Sequence, residues 1–257
     1  MMSKLWRRSL GIGTFFLVIC LIVLFGYSAN KSLVIVEEDD REGKGDLDEL
    51  TQTILREKEQ YNFIVVVNPA HGGNNLGNVV NDLQEKEITL AVGEALEELA
   101  EESDIGIFVI RKEDMDISNE SRGELIKAVK PDLVVDLHVN ADPENERTFG
   151  TAAVYNGKFY FEKMTNVRFA DIMVRQLVTA IEGKANGIFS DEEGKYPLLT
   201  LCQMPAVSIE MGYLTNAEEA SLLKKREYQK KLAAGIYQGI LETREEMEGS
   251  ADESEPG

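Results

Sequence analysis

The chain holds only two histidines in 257 residues, and both close apolar runs. His71 follows Pro69 in VVVNPAHGG, and His138 ends DLVVDLH. Glu210 ends PAVSIE in the same manner. Imidazole and carboxylate are the side chains that ligate zinc or move protons near neutral pH. A further carboxylate, Glu85, lies in NDLQEKEITL. Asp82 and Glu85 have the spacing of a helix N-cap and its N3 partner, so the spacing predicts a capping box. The same position sets the Glu85 carboxylate beside the His71 loop. Two histidines and a glutamate form a ligand set typical of catalytic zinc, with a fourth position left to water. Nothing suggests thiolate ligation. Glu210 keeps two readings, a general base beside that water or a salt-bridged strand end. The glycines of HGGNNLG are not followed by the Lys-Ser/Thr of a phosphate loop; Gly72 and Gly73 are expected to let the backbone turn sharply and keep a metal approachable.

These residues need a scaffold that brings them together. Apolar runs at Phe63–Val67, Ile105–Ile110, Leu133–Leu137, Ala152–Tyr155 and Ala206–Ile209 read as buried strands. Helical patterns separate them. In KEITLAVGEALEELAEE, residues Ile88, Val92, Ala95, Leu96 and Leu99 fall on one face. Others run near Glu120–Val129, Val167–Ile181 and Glu227–Leu241, and Thr215 with Glu218 has the spacing of a second capping box. Alternating strands and helices predict a single α/β domain with a mostly parallel twisted sheet flanked by helices. If the strands ending at His71, His138 and Glu210 are parallel, all three residues stand at the sheet edge where open α/β folds bind ligands.

Outside this domain the sequence changes character. Lys4, Arg7 and Arg8 precede an uncharged run from Leu10 to Tyr27. Its length and positive flank predict a retained transmembrane signal anchor over residues 1–31, with the rest of the chain outside the membrane; a cleaved signal is the alternative. Residues 32–60 read as a charged spacer with a short amphipathic helix near Leu47–Leu55. The catalytic domain is placed at 61–243, and 244–257 as an acidic disordered tail. The net charge of −19 argues against nucleic acid, which requires a basic footprint. Of the two cysteines, Cys20 lies in the apolar run, so Cys202 has no partner outside the membrane.

At this point the chain resembles a known group, the zinc-dependent N-acetylmuramoyl-L-alanine amidases of the type 3 family. The resemblance covers roughly Phe63 to Leu241 and is carried by NPAHGG, EKEITL, RKEDMDISNESR, DLHVNAD and PAVSIEMGYLTNAEEASLL, in that order. It implies that His71, Glu85 and His138 bind Zn2+ and that Glu210 is the catalytic glutamate. It further implies a peptidoglycan substrate, cleaved at the amide between N-acetylmuramic acid and the L-alanine of the stem peptide. The alternatives are a non-catalytic wall-binding or regulatory protein on the same scaffold, and a zinc peptidase cutting within the stem. Four positions depart from the family's usual pattern: Asn68 and Ala70 stand in place of Asp and Gly, Asp136 in place of a serine, and Asn186 in place of an arginine. A short domain behind one anchor is similar to the spore-cortex type of the family. The segments Asn156–Met164 and Ser190–Lys195 are where control of the cleft is expected.

Overall fold

The computed structural model describes residues 41–101 and 103–252. The expected membrane span and the last residues of the tail lie outside the described residues. Among the described residues, no helix is long and apolar enough to cross a membrane.

Strand β1 (Phe63–Pro69) is buried along its whole length, and its IVVV run suits a strand covered on both faces. It pairs in parallel with β4 (Ile105–Val109) on one side and with β5 (Leu133–Asn140) on the other. Strand β5 pairs in parallel with β8 (Ala206–Tyr213). Beyond β8 lies β6 (Thr151–Tyr155), antiparallel to it, and then β7 (Ala185–Ser190), parallel to β6. The six-stranded order is β4-β1-β5-β8-β6-β7. The sheet is therefore mixed but mostly parallel, as the alternating pattern predicts. A two-stranded ribbon, β2 (Val79–Val80) with β3 (Leu83–Gln84), decorates the loop after β1.

Side chains alternate along each strand, so odd and even positions serve opposite faces. Val65, Val67, Val135, Leu137, Val207 and Ile209 meet helices α2 (Glu85–Ala100), α4 (Asn166–Ile181) and α7 (Arg226–Asp252) in one core. Ile64, Val66, Val134 and Ala206 meet α1 (Arg41–Glu57), α3 (Asn119–Val129) and the short α5 (Pro197–Leu201) in the other. Helix α6 (Ala217–Leu223) follows β8.

Several expectations need correction. The stretch read as a spacer contains α1, and its Leu47 and Ile54 are buried in the second core. Six charged residues in REGKGDLDEL conceal the few apolar positions that anchor it. The tail read as disordered from residue 244 continues α7 as far as Asp252, with Met247 packed against the first core. Thr215 does not cap α6: Asn216 does, accepting from the N–H groups of Glu218 and Glu219, while the Thr215 hydroxyl accepts from Asp142 N. Leu99, expected on the buried face of α2, is exposed in its last turn. Strand β7 went unrecognised because its residues are largely exposed at the sheet edge and show no apolar alternation.

Candidate active site

The polar residues of the site follow from strand register. Asn68 on β1 lies beside Asp136 on β5, Asp136 beside Ser208 on β8, and His138 beside Glu210. All are even positions, so they share the face that is apolar lower down the strands and turns polar towards the carboxyl ends. Both β5 and β8 run past the predicted ends, so His138 and Glu210 sit within strands rather than at their tips. His71 arrives differently. Pro69 ends β1, and His71 itself adopts a left-handed backbone with φ 63°, followed by Gly72 and Gly73 at φ 130° and 56°. This is the sharp turn that the two glycines imply, and crowding gives them a second reason. A Cβ on Gly72 would strike Met115 O and come within 2.7 Å of Arg111 Cδ; one on Gly73 would strike the Asp116 carboxylate.

The segment 111–116 thus clamps the histidine loop. Asp114 accepts from Gly73 N at 2.8 Å and from Lys86 Nζ at 2.6 Å, while Asp116 accepts from Asn74 N and Nδ2, each at 2.8 Å. Arg111 is fully buried and spends its guanidinium on carbonyls of Pro69, Ala70, Lys86 and Glu113. These contacts tie the loop to the start of α2, where Glu85 lies.

Glu85 is the first residue of α2, and Gln84 is the N-cap with no side-chain cap bond. The expected Asp82–Glu85 capping box does not form; the Glu85 carboxylate faces the histidines instead. One oxygen, Oε2, accepts from Asn78 N at 2.8 Å and lies 3.2 Å from His71 Nε2. The other, Oε1, accepts from Val139 N at 2.9 Å and lies 3.0 Å from His138 Nδ1. Burial alone would raise its pKa, but the hydrogen bonds and charges of His138 and His71 outweigh this and hold it well below the ordinary carboxylate range.

One ligand atom from each of His71, Glu85 and His138 lies within 4.8 Å of the other two. Two imidazole nitrogens and a carboxylate oxygen converging from separate elements suit zinc, whose catalytic sites take three protein ligands. The remaining ring nitrogens are also engaged, as ligating histidines require. His71 Nδ1 is 2.9 Å from Asn75 Oδ1, and His138 Nε2 is 3.0 Å from Asp136 Oδ2.

Glu210 flanks this cluster. Its Oε1 accepts a 2.6 Å hydrogen bond from Tyr196 Oη, and the Tyr196 ring stands edge-on to His138 with centroids 5.5 Å apart. Its Oε2 is the one buried side-chain polar atom among the described residues without a hydrogen-bond partner. Burial raises the Glu210 pKa, and neither the charge of His138 nor the Tyr196 hydrogen bond cancels that effect. A salt-bridged strand end is therefore not what the fold builds. Nothing in the sequence marks Tyr196, because a loop delivers it. Asp191 accepts from Lys195 N at 2.8 Å and from Tyr196 N at 3.0 Å, folding the Ser190–Lys195 segment under it. Asn186 donates to Tyr213 Oη at 2.6 Å.

A carboxyl-edge cluster of this kind, with an unspent buried carboxylate beside it, is the arrangement of a metal-dependent hydrolase carried on a mixed α/β sheet. Residues 65–242 match the family model described as N-acetylmuramoyl-L-alanine amidase (Amidase_3), and the chain belongs to that family of zinc-type, cell-wall-cleaving enzymes. It is 32% identical over 180 residues to the uncharacterized protein YqiI of Bacillus subtilis, covering 68% of this chain and 82% of the relative. It is 31% identical over 192 residues to the germination-specific N-acetylmuramoyl-L-alanine amidase of the same organism, covering 69% and 78%. Among solved structures, the N-acetylmuramoyl-L-alanine amidase of Clostridium difficile 630 superposes with a TM-score of 0.66 at 28% identity, covering 71% of this chain and 97% of that one. The chain is a peptidoglycan hydrolase of the amidase type, and such cell-wall enzymes act outside the cytoplasm.

Proposed function

We propose that His71, Glu85 and His138 hold the zinc ion and that Glu210 is the general base of amide hydrolysis. The convergence of three ligand atoms beside a buried carboxylate with one free oxygen carries this reading. A zinc ion held there would supply Lewis acidity, polarising the substrate carbonyl and making an attacking water easier to deprotonate. Glu210 Oε2 accepts the proton that water loses as its oxygen bonds to the lactyl carbonyl carbon. Burial raises the proton affinity of Glu210, which suits a group that must hold this proton briefly. The same carboxyl then delivers the proton to the alanine nitrogen as the carbon–nitrogen bond breaks, leaving glycan and a stem peptide with a free amine. Tyr196 Oη holds the other oxygen of Glu210 throughout and fixes the carboxylate plane.

The finer features of the molecule belong to the same proposal. Residues 10–27 anchor the chain as a single span and hold the domain against the wall side of the membrane, with 61–243 as the amidase domain; the basic flank and the uncharged apolar run support this. Similarity to a germination-specific amidase supports action on spore cortex.

Digestion of purified peptidoglycan by the full chain, with product masses recorded, tests the bond cleaved. Intact glycan strands and stem peptides with a free N-terminal alanine are expected. Cleavage between stem residues would instead identify a zinc peptidase, and unchanged substrate a non-catalytic wall-binding protein.

A further inference from the structure

We propose that Asp136 is the positioning residue of the metal site: this one buried carboxylate orients His138 directly and ties down the His71 loop through Asn68 and Arg122. The inference rests on the zinc-ligand assignment above. Asp136 lies on β5 two residues before His138, and is almost fully enclosed. Its Oδ2 accepts from the Ser208 hydroxyl at 2.8 Å and stands 3.0 Å from His138 Nε2. Its Oδ1 accepts from Asn68 Nδ2 at 2.7 Å.

The direction of each ring nitrogen gives the contact its meaning. His138 Nδ1 faces Glu85 and the ligand cluster, so Nε2 must carry the proton when Nδ1 binds metal. A carboxylate at Nε2 fixes that tautomer and the ring plane, and strengthens Nδ1 as a donor. The second branch runs through Asn68. Asn68 Oδ1 accepts a short hydrogen bond from Arg122 NH1. The same guanidinium donates to Pro69 O at 3.0 Å and, through NH2, to His71 O at 2.7 Å. Among the described residues no carboxylate is hydrogen-bonded to the buried Arg122, and Asp136 is the negative charge that acts on it most directly. A buried cation without such compensation is costly. Asp136 therefore has two separable duties, charge compensation for Arg122 and orientation of His138.

Separability gives the test. Zinc affinity of the metal-stripped full chain is measured by competition with a chromophoric chelator, alongside the melting temperature of the same apoprotein. Asp136→Ala is expected to bind zinc about 10–100-fold more weakly and to melt at a lower temperature. Asn68→Asp/Asp136→Ala places the negative charge directly on Arg122 but leaves His138 Nε2 without its partner. This double variant is expected to regain the melting temperature and not the zinc affinity. It also keeps the question answerable should the single variant fold poorly. Wild-type zinc affinity in Asp136→Ala would overturn the inference, as would recovery of both properties together in the double variant, since Asp136 would then serve Arg122 alone. His138→Ala distinguishes the underlying assignment. Retention of zinc by that variant would overturn the ligand set and this inference with it; loss of zinc there, with unchanged affinity in Asp136→Ala, would overturn this inference alone.

Discussion

Glu210 and Tyr196 share one hydrogen bond, and their chemistry can be separated by single atoms. Glu210→Gln keeps the shape but cannot accept a proton. Hydrolysis is expected to fall by about 10²–10⁴-fold while zinc stays bound, as measured by turnover of peptidoglycan beside metal analysis of the same sample. Normal turnover would remove Glu210 from the role of base. Tyr196→Phe deletes a contact that lowers the Glu210 pKa, so that pKa, already raised by burial, rises further. The working form of Glu210 is the carboxylate. The acid limb of kcat against pH, recorded at saturating zinc, should therefore move to higher pH in Tyr196→Phe. A limb that stays in place would mean that the hydroxyl does not govern the base. The residue types gave these sites very different visibility. His71, His138 and Glu210 each close an apolar run, where a polar group is expensive without a task. Tyr196 sits among loop residues, and only the folding of that loop around Asp191 brings it to Glu210.

Two elements carry consequences that their composition hides. The loop between His71 and Glu85 passes Gly77 at φ 67°, where a Cβ would come within 2.6 Å of both Glu85 Oε2 and His71 Cδ2. A left-handed backbone costs an alanine about 1–2 kcal/mol, and the clash falls on two of the three proposed ligands. Gly77→Ala is expected to weaken zinc binding by about tenfold or more, with the core intact by circular dichroism. Unchanged affinity would show that the ligands are not held by this loop. Helix α1 makes the second case. Ile54 is fully buried against the second core. Ile54→Ala should therefore cost about 2–5 kcal/mol, read from urea unfolding midpoints; a surface-like cost below about 0.5 kcal/mol would mean that α1 is dispensable. The strands at the sheet centre were legible because burial on both faces leaves continuous apolar runs. Strand β7 was not, and of helix α1 only the stretch near Leu47–Leu55 was. Strand β7 lies largely exposed at the sheet edge, and the charged residues at the start of α1 hide how far that helix extends.

The described residues form a three-layer domain whose two cores lie on opposite faces of the sheet. Its metal site draws on both layers. Glu85 comes from α2 on one face, while Asn68, Asp136 and His138 belong to the other. The site's polar edge could be located from sequence because parallel strands align their carboxyl ends. The substitution pattern at Asn68 and Asp136 could be noticed but not interpreted, since only register shows that the two side chains touch. Cys202 adds a further consequence at this scale. It lies in the second core, 1% exposed, and burial raises its thiol pKa to about 12. Such a sulfur is almost never a thiolate in the folded chain, and alkylating reagents meet it only when the layer beneath α1 and α3 comes apart. The protein thus carries its own clock for transient opening, readable as the rate at which a single tryptic peptide gains mass.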